Sequence, residues 1–296
     1  MELWILFGSF VALLLIGTPV AFCLGASSFF TVLYLGLPPV VVFQRLNSGI
    51  SVFALMAIPF FIFAGDLMVR GDIARRLVAL AGSLIGHMRG GLGQVNIVAS
   101  LMFGGVSGSA AADASAVGGL MVPQMKARGY DVDYAVNITV VSSIIALMIP
   151  PSHNMIIYSI AAGGRLSIAD LFTAGIIPGL LLALAFAVFC LIGARKSGRI
   201  EQAPFPGWRA VWRAMSRSIW ALLMPPVVMG GIYLGIFTAT EAAAVGCLYA
   251  LLVGTLVYRN LGPRVLAACL KDTVMTSLMV FAIIAGAAVF GNAITI

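Results

Sequence analysis

Two interruptions of long apolar segments constrain the fold of this chain more than any other feature. The first is a polar, glycine-rich patch at residues 104–113, with the sequence GGVSGSAAAD, and the second is Pro150-Pro151-Ser152. Within a bilayer every backbone N–H and C=O needs a hydrogen-bond partner, so unwound backbone persists there only inside protein or beside a water-filled cavity. The two interruptions therefore predict a single shared site.

The bilayer itself follows from composition, because 61% of the residues are hydrophobic and only 9% are charged, against about 25% charged in soluble domains. We therefore predict an all-α polytopic membrane protein surrounded by the lipid bilayer. The net charge of +7 comes from basic residues in short connections between apolar runs, where they set topology, so we expect no nucleic-acid partner. The four cysteines are scattered without metal-ligand spacing and are expected to be buried hydrophobic residues.

Apolar runs lie at roughly 3–35, 49–69, 92–122, 135–162, 168–193, 219–258 and 274–296. A helix needs about 20 apolar residues to span a bilayer, so the runs at 3–35 and 219–258 are each long enough for two helices. Gly17-Thr18-Pro19 interrupts the first of these runs, and residues 235–238 interrupt the second. We predict a helix pair in each.

The run at 92–122 is predicted to be a re-entrant hairpin, which enters the bilayer and returns to the same side. With that topology fifteen of the 17 Lys and Arg residues lie on one side of the membrane, and only Arg45 and Arg165 lie on the other. A complete crossing would divide them twelve against five. Because cytoplasmic loops are enriched in Lys and Arg, the hairpin is favoured, and the basic side is assigned to the cytoplasm.

Two stretches on the basic side are amphipathic. Residues 72–87 have apolar side chains at helical spacing, and residues 207–220 combine three tryptophans with three arginines, a mixture typical of helices in the headgroup layer. We predict two surface arms. The alternative is that both are solvated connectors whose tryptophans only anchor neighbouring helices.

Weak internal similarity at an offset of 220 or 221 residues indicates inverted repeats, from which transporters are often built. TPVAF from Thr18 is similar to TATEA from Thr238, and residues 61–65 are similar to residues 281–286. The first repeat is predicted at 1–200, with the hairpin at 92–122, a proline-broken helix at 135–162 and a helix at 168–193. An interfacial arm or linker follows at 201–218. Residues 219–296 begin a second repeat that is incomplete, because the counterpart of Pro150 would fall beyond Ile296.

Several motifs make the chain similar to the large, DctM-like membrane subunit of tripartite ATP-independent periplasmic (TRAP) transporters. Besides the two interruptions they are MKARGYD at 125–131, AGIIPG at 174–179 and GIFTATEAAA at 235–244. The resemblance covers the whole chain in order. Ala239 stands where the family pattern usually has a proline. The family's second hairpin and second broken helix would follow Ile296, so the chain resembles a C-terminally truncated subunit that is not expected to transport by itself.

The resemblance implies an elevator-type fold and a sodium-driven importer in the bacterial inner membrane, with Na⁺ as the coupling ion and no other cofactor. It also implies a small membrane subunit of about four helices that supports the large one. A periplasmic binding protein would deliver the substrate, an organic acid of the C4-dicarboxylate or sugar-acid type.

The candidate site lies where the two interruptions meet. Glycine lets the backbone turn tightly and approach a ligand, and proline leaves an upstream carbonyl without its helical donor. Carbonyl and serine oxygens suit a small hard cation, and a helix N-terminus suits an anion. We expect substrate and ions at Ser107, Gly108, Ser109, Pro150, Pro151 and Ser152, sodium at Ser107, Ser109 and Pro150, and a supporting shell at Gly105, Asp113 and Asn154.

Other interpretations stay open. Gly104, Gly108 and Ala112 have the spacing of a small-residue packing stripe, in which case the prolines only kink a helix. Residues 105–108 match the GxSG pattern of rhomboid-type intramembrane serine proteases, with His153 as a candidate base for Ser107. Ile149, however, stands where that pattern has a glycine. A third interpretation is that the chain is a passive channel or a scaffold subunit. The sequence has no Walker motif or nucleotide fingerprint, and we expect a transporter subunit that is not an enzyme.

Overall fold

The computed structural model describes residues 1–88, 90–197 and 204–295. Arg89 and Arg199 of the predicted basic side lie outside the described residues, as do the beginning of the predicted arm at 201–218 and Ile296. The described residues contain helices, turns and connections but no β-strand, which confirms the all-α prediction.

The helices are named in chain order. Those up to and just beyond the double proline are α1 Glu2–Leu15, α2 Val20–Tyr34, α3 Val40–Ile50, α4 Ala57–Arg70, α5 Ile73–Ile85, α6 Gly91–Ser107, α7 Ala110–Ala127, α8 Val132–Ser143, α9 Ile145–Met148 and α10 His153–Ala161. The others are α11 Ile168–Ser197, α12 Trp208–Leu222, α13 Met224–Tyr233, α14 Ala239–Leu252 and α15 Pro263–Thr295. A 3-10 turn, Phe53–Met56, precedes α4, and a π-helical turn, Val253–Val257, extends α14.

Four helical segments of the described chain are long and apolar enough to cross a membrane. They are Phe53–Arg70, Ile168–Gly193, Ala239–Val257 and Pro263–Thr295. Val132–Met148 and His153–Ala161 make a fifth if this pair, bent by 53°, is one span. The chain is therefore a multi-pass membrane protein, as predicted.

Both predicted helix pairs are present. Gly17, with a φ of 89°, and Pro19 separate α1 from α2, while Gly235, with a φ of 68°, follows α13. Thr238 then caps α14: its hydroxyl accepts from the Glu241 N–H at 3.3 Å, and its own N–H donates to the Glu241 carboxylate at 2.8 Å. Because α1 and α2 have 14 and 15 residues, each is about 21–23 Å long, shorter than a hydrocarbon core of about 30 Å.

The chain forms two compact units. One comprises Met1–Met56 with the chain from Lys271 onward, and in it α2 packs on α1 and α3. The other, Ala57–Leu270, contains the whole candidate site. This division reflects packing and differs from the repeat boundaries at 200 and 218, so the repeats stay a prediction.

Helix α6 is the centre of the second unit. Most of its 17 residues are buried, and it packs on α4, α5, α7, α8, α9 and α11. Small residues permit this density: a methyl group on Gly104 would lie only 2.7 Å from the Ala146 Cα. Close packing of small residues, the alternative to a binding site that the sequence left open, is therefore present at Gly104.

The two predicted arms are amphipathic helices. Helix α5 buries Ile73, Leu77 and Leu80, and α12 exposes 77% of both Trp208 and Trp212. The two helices pack on each other, a contact that the sequence does not predict. Their location in the headgroup layer stays a prediction.

Candidate functional site

The tip of the hairpin is formed by the two residues between α6 and α7. Gly108 has a φ of 58°, a conformation that glycine adopts without the penalty that a side chain would bring. Its N–H donates to the Gly104 carbonyl at 2.9 Å, which closes α6. Ser109 starts α7, because its hydroxyl accepts from the Ala112 N–H at 3.3 Å.

The second interruption separates α9 from α10. Ile149 and Ser152 have extended backbone, with ψ values of 123° and 126°, and the Pro150-Pro151 bond between them is cis. Proline has no N–H to donate, so the helix cannot continue through this pair. Among the described backbone hydrogen bonds outside the helices, none reaches the Pro150 or Pro151 carbonyl oxygen.

The structure brings the hairpin tip and the broken helix into contact. A methyl group built on Gly108 would collide with the Pro151 carbonyl oxygen and lie 3.0 Å from the Ser152 Cα. One built on Gly105 would lie 3.3 Å from the Ile149 Cγ2 and 3.6 Å from the Pro150 oxygen. The two interruptions of the sequence therefore lie in contact with each other in the fold.

Four helix ends converge at this contact. Helix α6 and the segment Val132–Met148 end there, whereas α7 and α10 begin there. The C-terminal end of a helix carries a partial negative charge and the N-terminal end a partial positive charge. The arrangement therefore offers carbonyl oxygens to a cation and N–H groups to an anion within the same small region.

Two neighbours of the tip were not predicted from the sequence. Gly65 of α4 faces Ser107, since a methyl group at Gly65 would be 3.5 Å from the Ser107 Cα and 3.6 Å from its carbonyl oxygen. Pro225 of α13 approaches Gly105, its Cγ lying 3.6 Å from a methyl group built there. Gly65 offers a signal in hindsight, because a glycine within an apolar helix often marks a close approach.

Asp113, predicted in the supporting shell, lies in the first turn of α7 and is 0% exposed. Neither of its carboxylate oxygens has a hydrogen-bond partner among the described residues. The Ser100 hydroxyl is near enough to interact with this carboxylate, but without hydrogen-bond geometry. A buried group left unpaired costs about 1–3 kcal/mol, and more if charged, so a cation or a proton donor at Asp113 would be stabilising.

Ser100 belongs to a buried polar network that the sequence reasoning missed. The Asn96 amide donates to the Thr139 hydroxyl at 2.6 Å, and the Ser142 hydroxyl donates to the Asn96 amide oxygen at 3.2 Å. Ser100 and Ser142 share a hydrogen bond of 3.2 Å. Since polar side chains bind helices together in a membrane, this network fastens the hairpin to α8. A polar residue such as Asn96 inside an apolar run is the signal that could have found it.

The remaining predicted residues differ in their surroundings. Ser107 is buried, and its hydroxyl accepts from the Ser109 N–H at 3.5 Å. Ser152 is 0% exposed, and its hydroxyl has no partner among the described residues. Asn154, in the first turn of α10, is exposed. The structure therefore gathers the glycines, serines and prolines closely, while the Asn154 side chain is open to the surroundings.

The geometry gives little support to a serine protease. His153 Nδ1 has no hydrogen-bond partner among the described residues, so no hydrogen bond joins this atom to the Ser107 hydroxyl. A serine nucleophile and its base need such a contact for proton transfer.

Comparison with known proteins identifies the family to which the chain is similar. A family model described as "Tripartite ATP-independent periplasmic transporter, DctM component" matches residues 7–296. The chain is 41% identical over 284 residues to the uncharacterized protein YgiK of Salmonella typhimurium, covering 95% of this chain and 64% of YgiK. It is 42% identical over 248 residues to the sialic acid TRAP transporter large permease protein SiaM of Vibrio cholerae, covering 84% of this chain and 57% of SiaM.

A third relative is the C4-dicarboxylate TRAP transporter large permease protein DctM of Rhodobacter capsulatus, 35% identical over 305 residues, which cover 98% of this chain and 69% of that protein. The chain thus spans roughly 60–70% of the length of these relatives. The family match extends over nearly all of its residues. The chain therefore belongs to the family of the DctM component of tripartite ATP-independent periplasmic transporters.

Proposed function

We propose that this chain is the substrate- and ion-binding part of a sodium-coupled secondary transporter that imports an organic acid across the bacterial inner membrane. Ser107, Ser109 and the Pro150 carbonyl supply oxygens to Na⁺, while the N-terminal ends of α7 and α10 hold the acid. The observation that carries the proposal is the contact of Gly108 with the Pro151 carbonyl and Ser152. It brings unwound carbonyls and helix N-termini together, the combination that serves ions and anionic substrates in such carriers.

The family suggests the partners and the substrate class. A TRAP large permease works with a small membrane subunit and a periplasmic binding protein, and we propose the same for this chain. The names of SiaM and DctM specify sialic acid and C4-dicarboxylates, so a sugar acid or a dicarboxylate is the class to test. An elevator movement of the site across the bilayer completes the proposed mechanism.

Sodium binding is testable without knowing the substrate. The chain in detergent is unfolded thermally in NaCl and in KCl at equal ionic strength. We expect NaCl to raise the unfolding temperature of the wild type, because a ligand that binds only the folded state stabilises it. Ser107→Ala should raise the sodium concentration that produces a given rise in unfolding temperature by about tenfold, the equivalent of about 1.4 kcal/mol in binding.

Ser28→Ala is the matched control. Ser28 is equally buried, but its hydroxyl donates to the Leu24 carbonyl of its own helix at 2.6 Å. Its substitution should leave the response to sodium unchanged. An equal rise of the unfolding temperature in NaCl and in KCl would contradict the proposed sodium site.

Transport is tested in proteoliposomes that contain the complete transporter and its binding protein, whose ligand is first found by thermal-shift screening. Uptake should require an inward Na⁺ gradient and the binding protein. Undiminished uptake without sodium would instead support a passive channel. Labelling of wild type, but not of Ser107→Ala, by a fluorophosphonate would support the protease.

A further inference from the structure

A cleft lined by arginines lies between the two arm helices, outside the site described above. It has a volume of about 380 Å³ and is formed by one face of α5 and one face of α12. Arg75 and Arg76 of α5 line it together with Arg213 and Arg217 of α12. Asp72 is the one acidic residue among the described residues that line this cleft.

The cleft is held in place by contacts between its walls. The Ser218 hydroxyl donates to the Arg76 carbonyl at 3.1 Å, and Arg76 Nη1 approaches the Arg217 carbonyl at 3.5 Å. The Arg76 guanidinium lies 3.9 Å from the centre of the Tyr258 ring, whose hydroxyl donates to the Arg217 carbonyl at 3.1 Å. Arg76 is therefore positioned before any ligand arrives, which lowers the entropy cost of binding.

The positive charge of the cleft is only partly compensated. Asp72 pairs with Arg75 at 3.1 Å, which leaves Arg76, Arg213 and Arg217 without a carboxylate in the cleft lining that the structure describes. Arg76 Nε is buried and has no hydrogen-bond partner among the described residues. A buried guanidinium N–H without an acceptor is costly. The Arg76 side chain as a whole is only partly buried, and an anion with several oxygens in the cleft can accept from the guanidinium N–H groups that line it. Guanidinium groups bind phosphate particularly well, because their paired N–H groups match its oxygens.

The surroundings indicate which source of phosphate suits the cleft. Helix α12 exposes Trp208 and Trp212 by 77% each and Trp220 by 44%. Exposed tryptophans beside arginines are typical of a helix in the headgroup layer of a membrane. A phosphate at that depth is part of a lipid.

We propose that the cleft between α5 and α12 binds the phosphate of an anionic phospholipid headgroup and so joins the two arms. The Arg76 side chain supplies the preorganised donor, and Arg213 and Arg217 close on the phosphate from the other helix. The lipid then acts as a third component of the contact between the arms.

The test measures lipid retention by native mass spectrometry of the chain in detergent, titrated with phosphatidylglycerol, with phosphatidylcholine and with inorganic phosphate. Phosphatidylglycerol should bind at least tenfold more tightly than either of the others, a difference of about 1.4 kcal/mol. Arg213→Gln should weaken the binding of phosphatidylglycerol roughly tenfold, since a hydrogen bond to a charged group is lost.

Arg209→Gln is the matched control, because Arg209 is an exposed arginine of the same helix that does not line the cleft. It should change the dissociation constant by less than about twofold, as expected for a surface charge. Equal weakening by both variants would show diffuse attraction and overturn the proposal. Phosphatidylcholine binding as tightly as phosphatidylglycerol would also overturn it, as would inorganic phosphate matching the lipid.

Discussion

The hairpin site and the arm cleft offer different kinds of polar groups to the charged ligands proposed for them. At the hairpin, Gly108 and Pro151 bring main-chain atoms into contact, and the polar side chains of Ser107, Asp113 and Ser152 are short and buried. In the cleft, long cationic side chains converge on a space of about 380 Å³ between two helices. The hairpin site depends on the exact path of the main chain, whereas the cleft depends on side chains that can adjust.

This difference determines how each region should respond to substitution. A single added methyl group at the hairpin meets backbone that cannot move aside, and dense interiors transmit such strain. A substitution in the cleft removes one of several arginines, which can reorient around the loss. We therefore expect substitutions at the hairpin to reduce the stability of the fold strongly, and substitutions in the cleft to reduce it only slightly.

Gly108→Ala should have the largest effect. The left-handed conformation costs an alanine about 1–2 kcal/mol, and overpacking against the Pro151 oxygen adds about 1–3 kcal/mol. We expect a total loss of roughly 3 kcal/mol in the free energy of unfolding, measured by thermal or denaturant unfolding in detergent.

Two other glycines separate the causes of this loss. Gly129 has a φ of 78° with nothing within 4 Å of an added methyl group, and Gly119 has open space and an ordinary helical backbone. Gly129→Ala should lose stability only through the left-handed backbone conformation, and Gly119→Ala should lose no stability. If Gly108→Ala is no worse than Gly129→Ala, the tip is not pressed against the broken helix.

Asn96→Ala should have the next largest effect, because it removes hydrogen bonds to both Thr139 and Ser142. The expected cost is about 1–3 kcal/mol, the sum of two lost hydrogen bonds of about 0.5–1.5 kcal/mol each, because the Thr139 and Ser142 hydroxyls keep their bonds to the Ala135 and Thr139 carbonyls. A double-mutant cycle of Asn96→Ala with Thr139→Val should give a coupling of about 0.6–1.7 kcal/mol, the range found between membrane helices. Thr173→Val is the control, because the Thr173 hydroxyl donates only within α11, to the Ala169 carbonyl at 2.9 Å. Absent coupling would show that the network does not fasten the hairpin.

Ser109→Ala removes both the cap of α7 and a proposed sodium oxygen. We expect about 1 kcal/mol of destabilisation from the lost cap. Ser109→Gly has no side-chain oxygen but costs only a few tenths of a kcal/mol at a cap, so it should keep most of the stability in potassium while the response of the unfolding temperature to sodium stays weakened. A full sodium response of the glycine variant would exclude the Ser109 hydroxyl as a ligand.

Substitutions of Tyr258 should have the smallest effects. Tyr258→Leu removes the ring next to the partly exposed Arg76 guanidinium, which is expected to cost about 0.5–1 kcal/mol, together with the hydrogen bond to the Arg217 carbonyl. Tyr258→Phe keeps the ring and loses only the hydrogen bond to Arg217, for about 0.5–1.5 kcal/mol at most. Both variants are compared with the wild type by thermal unfolding and by their affinity for phosphatidylglycerol. A loss of more than about 3 kcal/mol in the free energy of unfolding would contradict the expected adaptability of the cleft.

Much of the architecture could be predicted because glycine, proline and helical periodicity act locally. The break before Pro19, the turn at Gly235, the hairpin tip at Gly108 and the interruption at Pro150 each depend on a few neighbouring residues. The two arms were also predicted from local signals, the first from apolar side chains at helical spacing and the second from its mixture of tryptophans and arginines.

The features that could not be predicted depend on contacts between residues far apart in the chain. Arg76 and Arg217 are 141 positions apart, and Asn96 and Thr139 are 43 apart. No local pattern states which helix faces another, so Gly65, Pro225 and the cleft appeared only with the packing. The repeats and the sodium ligands stay predictions.

The convergence of α7 and α10 at Ser109 and Ser152 has a consequence for turnover. Each helix start carries roughly half an elementary charge, so two of them nearly balance one carboxylate without any lysine or arginine. Those half charges weaken steeply beyond the first turn. Under the proposed function, an acid held this way would leave as soon as the geometry loosens, whereas a bidentate guanidinium would keep hold of it. A main-chain site would then favour fast release in a carrier that must release its substrate in every cycle.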